Sequence, residues 1–170
     1  MALATSQILP KQEDDRDRES GDRFVKFVLS EEVNGVVLLE GLLGVIKVAI
    51  EDILPVPQVP EFFLGITNWQ GEAIWIVDLA NLVGGTHWCQ REKVANTGIA
   101  MLVQVRDRTA GLLIEGVSAI EQYDRQAKLP ISTLMLPERL RSFLQGYFLD
   151  SQNKPLMWFD LNAAIAVLQR

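Results

Sequence analysis

Residues 64–84 read LGITNWQGEAIWIVDLANLVG. Gln70–Gly71 is a turn signal between two apolar runs, EFFLGITNW (61–69) and EAIWIVDL (72–79), so the stretch reads as a β-hairpin. The second strand is apolar on both alternating sets. Ile74 and Ile76 fall on one face, and Ala73, Trp75 and Val77 on the other. A strand in a one-sided sheet alternates polar and apolar residues. This strand therefore needs cover twice, from its own barrel interior and from a sister unit or partner. Asp78 closes the strand just before LANLVG, a short helix that Gly84 should end. It is placed to accept backbone N–H bonds as the helix N-cap.

The hairpin has a sister. FLGITNWQGEAIWIVDLANLV (63–83) and FLQGYFLDSQNKPLMWFDLNAAI (143–165) share a Phe-Leu start, a glycine, a turn, an apolar strand, then Asp-Leu and a helical stretch. Gly65 matches Gly146 and Asp78 matches Asp160, so one turn residue differs between the two. The repeat predicts two similar β-units packed together. Trp158 falls at the position of Ile76, which makes it a core residue.

Outward from the repeat, FVKFVL (24–29) and VVLLE (36–40) read as strands around an Asn34–Gly35 turn. GLLGVIKVAI (41–50) has two glycines and a β-branched centre, which favours strand. LPVPQVP (54–60) holds three prolines and reads as an extended connector. GTHWCQREKVANT (85–97) is a polar loop. GIAMLVQV (98–105) and AGLLIEGVSAIEQY (110–123) are strands, 124–142 is irregular, and NAAIAVLQR (162–170) is a C-terminal helix. Roughly ten short strands, with turns every 8–12 residues, make the fold mainly β.

The chain has 170 residues, which suits one domain or two small subdomains sharing a core. Residues 11–23 carry six acids, four bases and no apolar side chain, so 1–22 is expected to be a flexible tail before a folded region at 23–170. The N-terminus lacks the basic start and apolar stretch of a secretory signal, and no apolar run reaches membrane-spanning length. With a single cysteine, Cys89, no internal disulfide is possible, and a cytoplasmic location is expected. A net charge of −6 argues against nucleic acid as a partner, since phosphate affinity rests on Lys and Arg.

Catalytic and metal chemistry find little here. One His and one Cys, His87 and Cys89, cannot complete a zinc site. A thiol–imidazole pair would lack an orienting third group. LVGGTHW has neither the lysine nor the spacing of a phosphate loop. Glu61, Glu72, Glu115 and Glu121 are scattered carboxylates rather than an acid–base pair. No catalytic residue, metal or cofactor is expected. Trp69 and Trp75, beside the turn, fit an interface anchor as well as they fit a small-barrel core.

The residues carry a family resemblance. Gly65-Ile66-Thr67-Asn68-Trp69-Gln70-Gly71, after a proline-containing connector and before a strand ending in Asp78-Leu79, resembles the signature of the CheW family of chemosensory coupling proteins. Gly111, Leu112, Leu113, Glu115 and Val117 resemble that family's second hairpin, and the likeness covers roughly 22–168. It implies two SH3-like five-stranded β-barrels around a shared hydrophobic core, with no enzyme activity. It implies a cytoplasmic adaptor in chemotaxis, phototaxis or type IV pilus motility. The implied partners are the cytoplasmic tip of a chemoreceptor and the regulatory domain of a CheA-type histidine kinase. On this resemblance Asn68, Trp69, Gln70, Gly71 and Trp75 are candidate partner-binding residues. Ile46, Val48 and Leu113 would line an apolar groove for a receptor helix. Two positions depart from the family pattern. Gln70 stands where many members carry arginine, and Ile46 where a glutamate is common. Strands apolar on both faces leave a rival from another class, a small β-barrel that binds an apolar ligand.

Overall fold

The computed structural model describes residues 21–30, 33–92 and 95–169. These form β1 (Asp22–Ser30), β2 (Val33–Leu38), β3 (Gly44–Ala49), β4 (Phe63–Trp69), β5 (Glu72–Asp78), β6 (Thr97–Val105), β7 (Arg108–Ile114), β8 (Gly116–Tyr123), β9 (Leu144–Leu149) and β10 (Pro155–Phe159). The α-helices are short: α1 (Leu79–Leu82), α2 (Glu138–Arg141) and α3 (Leu161–Leu168).

The strands make two five-stranded sheets, ordered β8-β1-β2-β10-β9 and β3-β6-β7-β5-β4. Each curls around its own apolar interior, as expected of two SH3-like units. The chain lays down β1 and β2, builds the whole second unit, and returns to finish the first. The two orders match place for place, with β1–β2 standing where β6–β7 stand. The fold is thus one repeat whose last hairpin has moved to the N-terminal side.

The sister hairpins behave alike. β4 and β5 are antiparallel, as are β9 and β10, and in each unit the second strand then pairs in parallel with β7 or β2. Gly65 (φ 144°) and Gly146 (φ 156°) lie where Leu54 and Leu129 cross the hairpin through isolated bridges at Ile66 and Tyr147. Asp160 caps α3 by accepting from the Asn162 and Ala163 N–H groups at 2.9 and 3.3 Å.

Three apolar clusters account for the two-faced strands. Ile74 and Ile76 point into the second barrel with Ile46, Val48, Leu102 and Leu113. Val77, on the opposite face, joins Val25, Phe27, Leu112 and Phe159 in the core shared by both units. Trp158 fills the first barrel with Phe24, Val36, Phe148 and Leu156. The second cover of β5 is therefore the sister unit.

Two local expectations change. Asn34 and Gly35 are not a turn but part of β2, opposite Val28 and Phe27. A Cβ on Gly35 would sit 2.7 Å from both Phe159 and Phe27, so the glycine serves close packing. The segment 110–123 is not one strand; it breaks at Glu115, and β7 and β8 enter different sheets. The expected tail overlaps residues 1–20, outside the described residues, while Asp22 opens β1 and accepts from Arg125 Nε at 2.6 Å.

Candidate functional site

The β4–β5 hairpin turns through two residues, Gln70 (φ 50°) and Gly71 (φ 81°). Two positive φ values are the type I′ pattern, whose twist suits a hairpin. Asn68 Oδ1 accepts from the Gly71 N–H at 3.1 Å and pins the turn. Glutamine is a poor residue for the left-handed region, so an exposed Gln70 there is strained without any packing reason.

Register sorts the hairpin's two faces. Thr67 opposes Ile74 and Trp69 opposes Glu72, so this set points toward the barrel interior. Trp69 packs partly buried on that interior, and its indole N–H has no partner among the described residues. Ile66 opposes Trp75 and Asn68 opposes Ala73 on the outer face. Leu54 bridges to Ile66, with backbone bonds of 2.7 and 3.0 Å, and Trp75 pairs with Ala110 of β7. A row Leu54–Ile66–Trp75–Ala110 therefore crosses the outer face. Leu54 is 64% exposed, Ile66 and Trp75 are partly exposed, and Ala110 is buried.

Of the residues singled out from sequence, Asn68, Gln70, Gly71 and Trp75 lie together on this face and its turn. Trp69 lies on the opposite, barrel side. Ile46, Val48 and Leu113 do not line a groove. They are 5%, 4% and 0% exposed and fill the second barrel. β7 is buried along most of its length, and on β3 the face with Ile46 and Val48 points into the barrel while Lys47 on the other face is exposed, so these three apolar side chains mark interior, not surface. Neither Leu54 nor Ile66 stands out as a site residue in the sequence. The signal was the bridge between the proline connector and β4, which is a tertiary contact.

Beside the hairpin lies a buried charge cluster. Asp78, fully buried, caps α1 by accepting from the Asn81 N–H at 3.4 Å. It also accepts from the Trp88 N–H at 2.6 Å and from Arg91 Nη2 at 3.1 Å. Arg91 lies 4.5 Å over the Trp88 ring and reaches Glu115 at 3.3 Å. The expected cap is present, and it does more than cap. It ties the 86–91 segment to the end of β5, and that segment is not merely a polar loop, because Trp88 is 2% exposed and seated in the second barrel. Glu115 is the outer member, with its side chain 32% exposed. Glu115→Gln is expected to cost under about 1 kcal/mol in chemical denaturation, since such rim pairs contribute little.

His87 and Cys89 are used locally. His87 Nδ1 accepts from the Cys89 N–H at 3.2 Å and Nε2 lies 3.1 Å from the Glu61 carbonyl. Among the described residues, no cluster of three or more His, Cys, Asp or Glu could hold a metal, and no helix is long and apolar enough to cross a membrane.

Among solved structures, the chain resembles the scaffolding protein TtCheW from Thermoanaerobacter tengcongensis, with a TM-score of 0.66. Identity is 22%, over 82% of this chain and 88% of that one, a likeness of fold. No curated protein sequence matches. A family model described as the CheW-like domain matches residues 23–169, and the chain belongs to the CheW-like domain family.

Proposed function

We propose that this protein is a non-catalytic adaptor that couples chemoreceptors to a CheA-type histidine kinase in the cytoplasm, and that the outer face of β4–β5 docks the kinase's regulatory domain. The observation that carries the docking is the row Leu54–Ile66–Trp75, an apolar stripe on the same face of β5 as Val77: Trp75 is partly buried against the shared core, and the row runs outward from there to Leu54, which is 64% exposed. Aromatic and aliphatic anchors ringed by polar residues are the usual make-up of an interface centre. Asn68 and Gln70 supply that polar border. Family membership supplies the partner class, and the receptor tip is the second partner on the same ground. The motility output it serves belongs to chemotaxis, phototaxis or type IV pilus systems.

The rival reading, a barrel holding an apolar ligand, has less support. Ligand barrels need a cavity, and here Trp88, Ile74, Ile76, Leu102 and Leu113 fill one interior while Phe24, Phe148 and Trp158 fill the other.

Gln70 offers the test. Gln70→Gly removes left-handed strain worth about 1–2 kcal/mol, less the entropy of a new glycine, about 0.5–1. The variant should be slightly more stable in a urea melt. It should also bind the kinase regulatory domain more weakly by calorimetry, since it loses the side chain that the strain retains. Unchanged affinity with raised stability would remove Gln70 from the interface.

A further inference from the structure

At its Ala110 end the apolar row runs into a crevice of about 260 Å³, walled by Phe63, Trp75, Val105, Ala110 and the Leu168 end of α3. Phe63 and Trp75 meet edge to face at 5.1 Å, which fixes one wall. The rim is the β6–β7 turn, Arg106–Asp107–Arg108, whose three residues are exposed. Arg106 Nη2 donates to the Gln169 carbonyl at 3.0 Å, holding the end of α3 beside the turn. Its other N–H groups and the Arg108 guanidinium remain donors. Small-molecule sites usually span about 300–1,000 Å³, and this crevice falls just below that range, with room for one large side chain.

We infer that the crevice is the anchor pocket of the docking face: it takes one apolar side chain of the kinase regulatory domain, flanked on that partner by carboxylates that meet Arg106 and Arg108. The inference rests on the docking reading above. Two observations select this occupant. The crevice is continuous with the exposed row, so a partner covering Leu54, Ile66 and Trp75 reaches it without a gap. The rim carries two cations to one anion on a chain whose net charge is −6. The chain's net negative charge disfavours an acidic segment overall, and the two rim arginines favour one locally, which gives register as well as rate. Guanidinium forks pair with carboxylates in a fixed plane, so arginine suits the task better than lysine.

The test is calorimetric titration of the full chain with the regulatory domain of a CheA-type kinase from the same genome, at low and at physiological salt. Arg108→Glu changes an exposed turn residue, and an unchanged circular dichroism melt verifies the fold. Its affinity is expected to fall about tenfold or more, with a weaker salt dependence than wild type, and Arg108→Lys should fall between. Reversing the facing carboxylate on the kinase to arginine should restore binding to Arg108→Glu. Wild-type affinity and salt slope in Arg108→Glu, with Gln70→Gly still weakened, would overturn the pocket and leave the docking face standing. No binding by the wild type would overturn the docking reading, and the pocket with it.

Discussion

Trp88→Ala is expected to destabilise the protein by about 3–5 kcal/mol, the range for emptying a large aromatic from a core. The reason lies in how the two barrels differ. The hairpin repeat places Trp158 at Ile76. The ladders then put Val36 at Gly111, Phe24 at Ala100 and Asp22 at Gly98. The first barrel fills itself from its own strands. The second has small residues at the same places, and the space is taken by Trp88, delivered from the 86–91 segment. A Cβ on Gly98 would meet Leu113 at 2.6 Å and the Trp88 ring at 3.1 Å, so the glycine leaves room for both side chains. The indole N–H donates to the Ala95 carbonyl at 3.3 Å, and the backbone N–H donates to buried Asp78. Removing the ring leaves a cavity that these anchored backbones cannot close. Denaturant unfolding checks the value. A loss below about 1 kcal/mol would mean that the segment is not a structural plug.

Gly65→Ala is expected to cost about 3 kcal/mol or more, because it sets a side chain against backbone. At φ 144° a Cβ would overlap the Leu54 carbonyl oxygen and lie 2.7 Å from its carbon and 3.0 Å from Pro55 Cα. Neither group can move without breaking the Leu54–Ile66 bridge, which brings the proline connector against β4. Gly71→Ala is the matched control. It also has positive φ, 81°, but nothing lies within 4 Å of the added methyl, so only the conformational penalty of about 1–2 kcal/mol remains. Thermal melts of the pair separate close approach from backbone preference. Equal losses would show that the bridge does not constrain Gly65.

Much of this was legible in the sequence because local signals and pattern agreed. The turn at Gln70–Gly71, the helix-capping Asp78, the doubly apolar β5 and the repeat all follow from spacing and residue type. What escaped depends on contacts between distant segments. Trp88 sits in a run of polar residues, and nothing local says that a barrel with Gly98, Ala100 and Gly111 needs it. Asn34–Gly35 has the composition of a turn, but packing against Phe27 and Phe159 set the glycine inside a strand. Ile46, Val48 and Leu113 read as groove residues because hydrophobicity alone does not separate an interior from an exposed apolar stripe. Leu54 and Ile66 form that stripe, and only the fold brings them together.

The docking face is tested most directly by labelling this protein with ¹⁵N and following its amide signals as the kinase regulatory domain is added. The largest perturbations are predicted at Leu54, Ile66, Asn68, Ala73 and Trp75, extending along the row to Arg106–Ala110, with β8 and β9 little changed. Perturbations confined to β8 and β9, with the β4–β5 hairpin unmoved, would contradict the account.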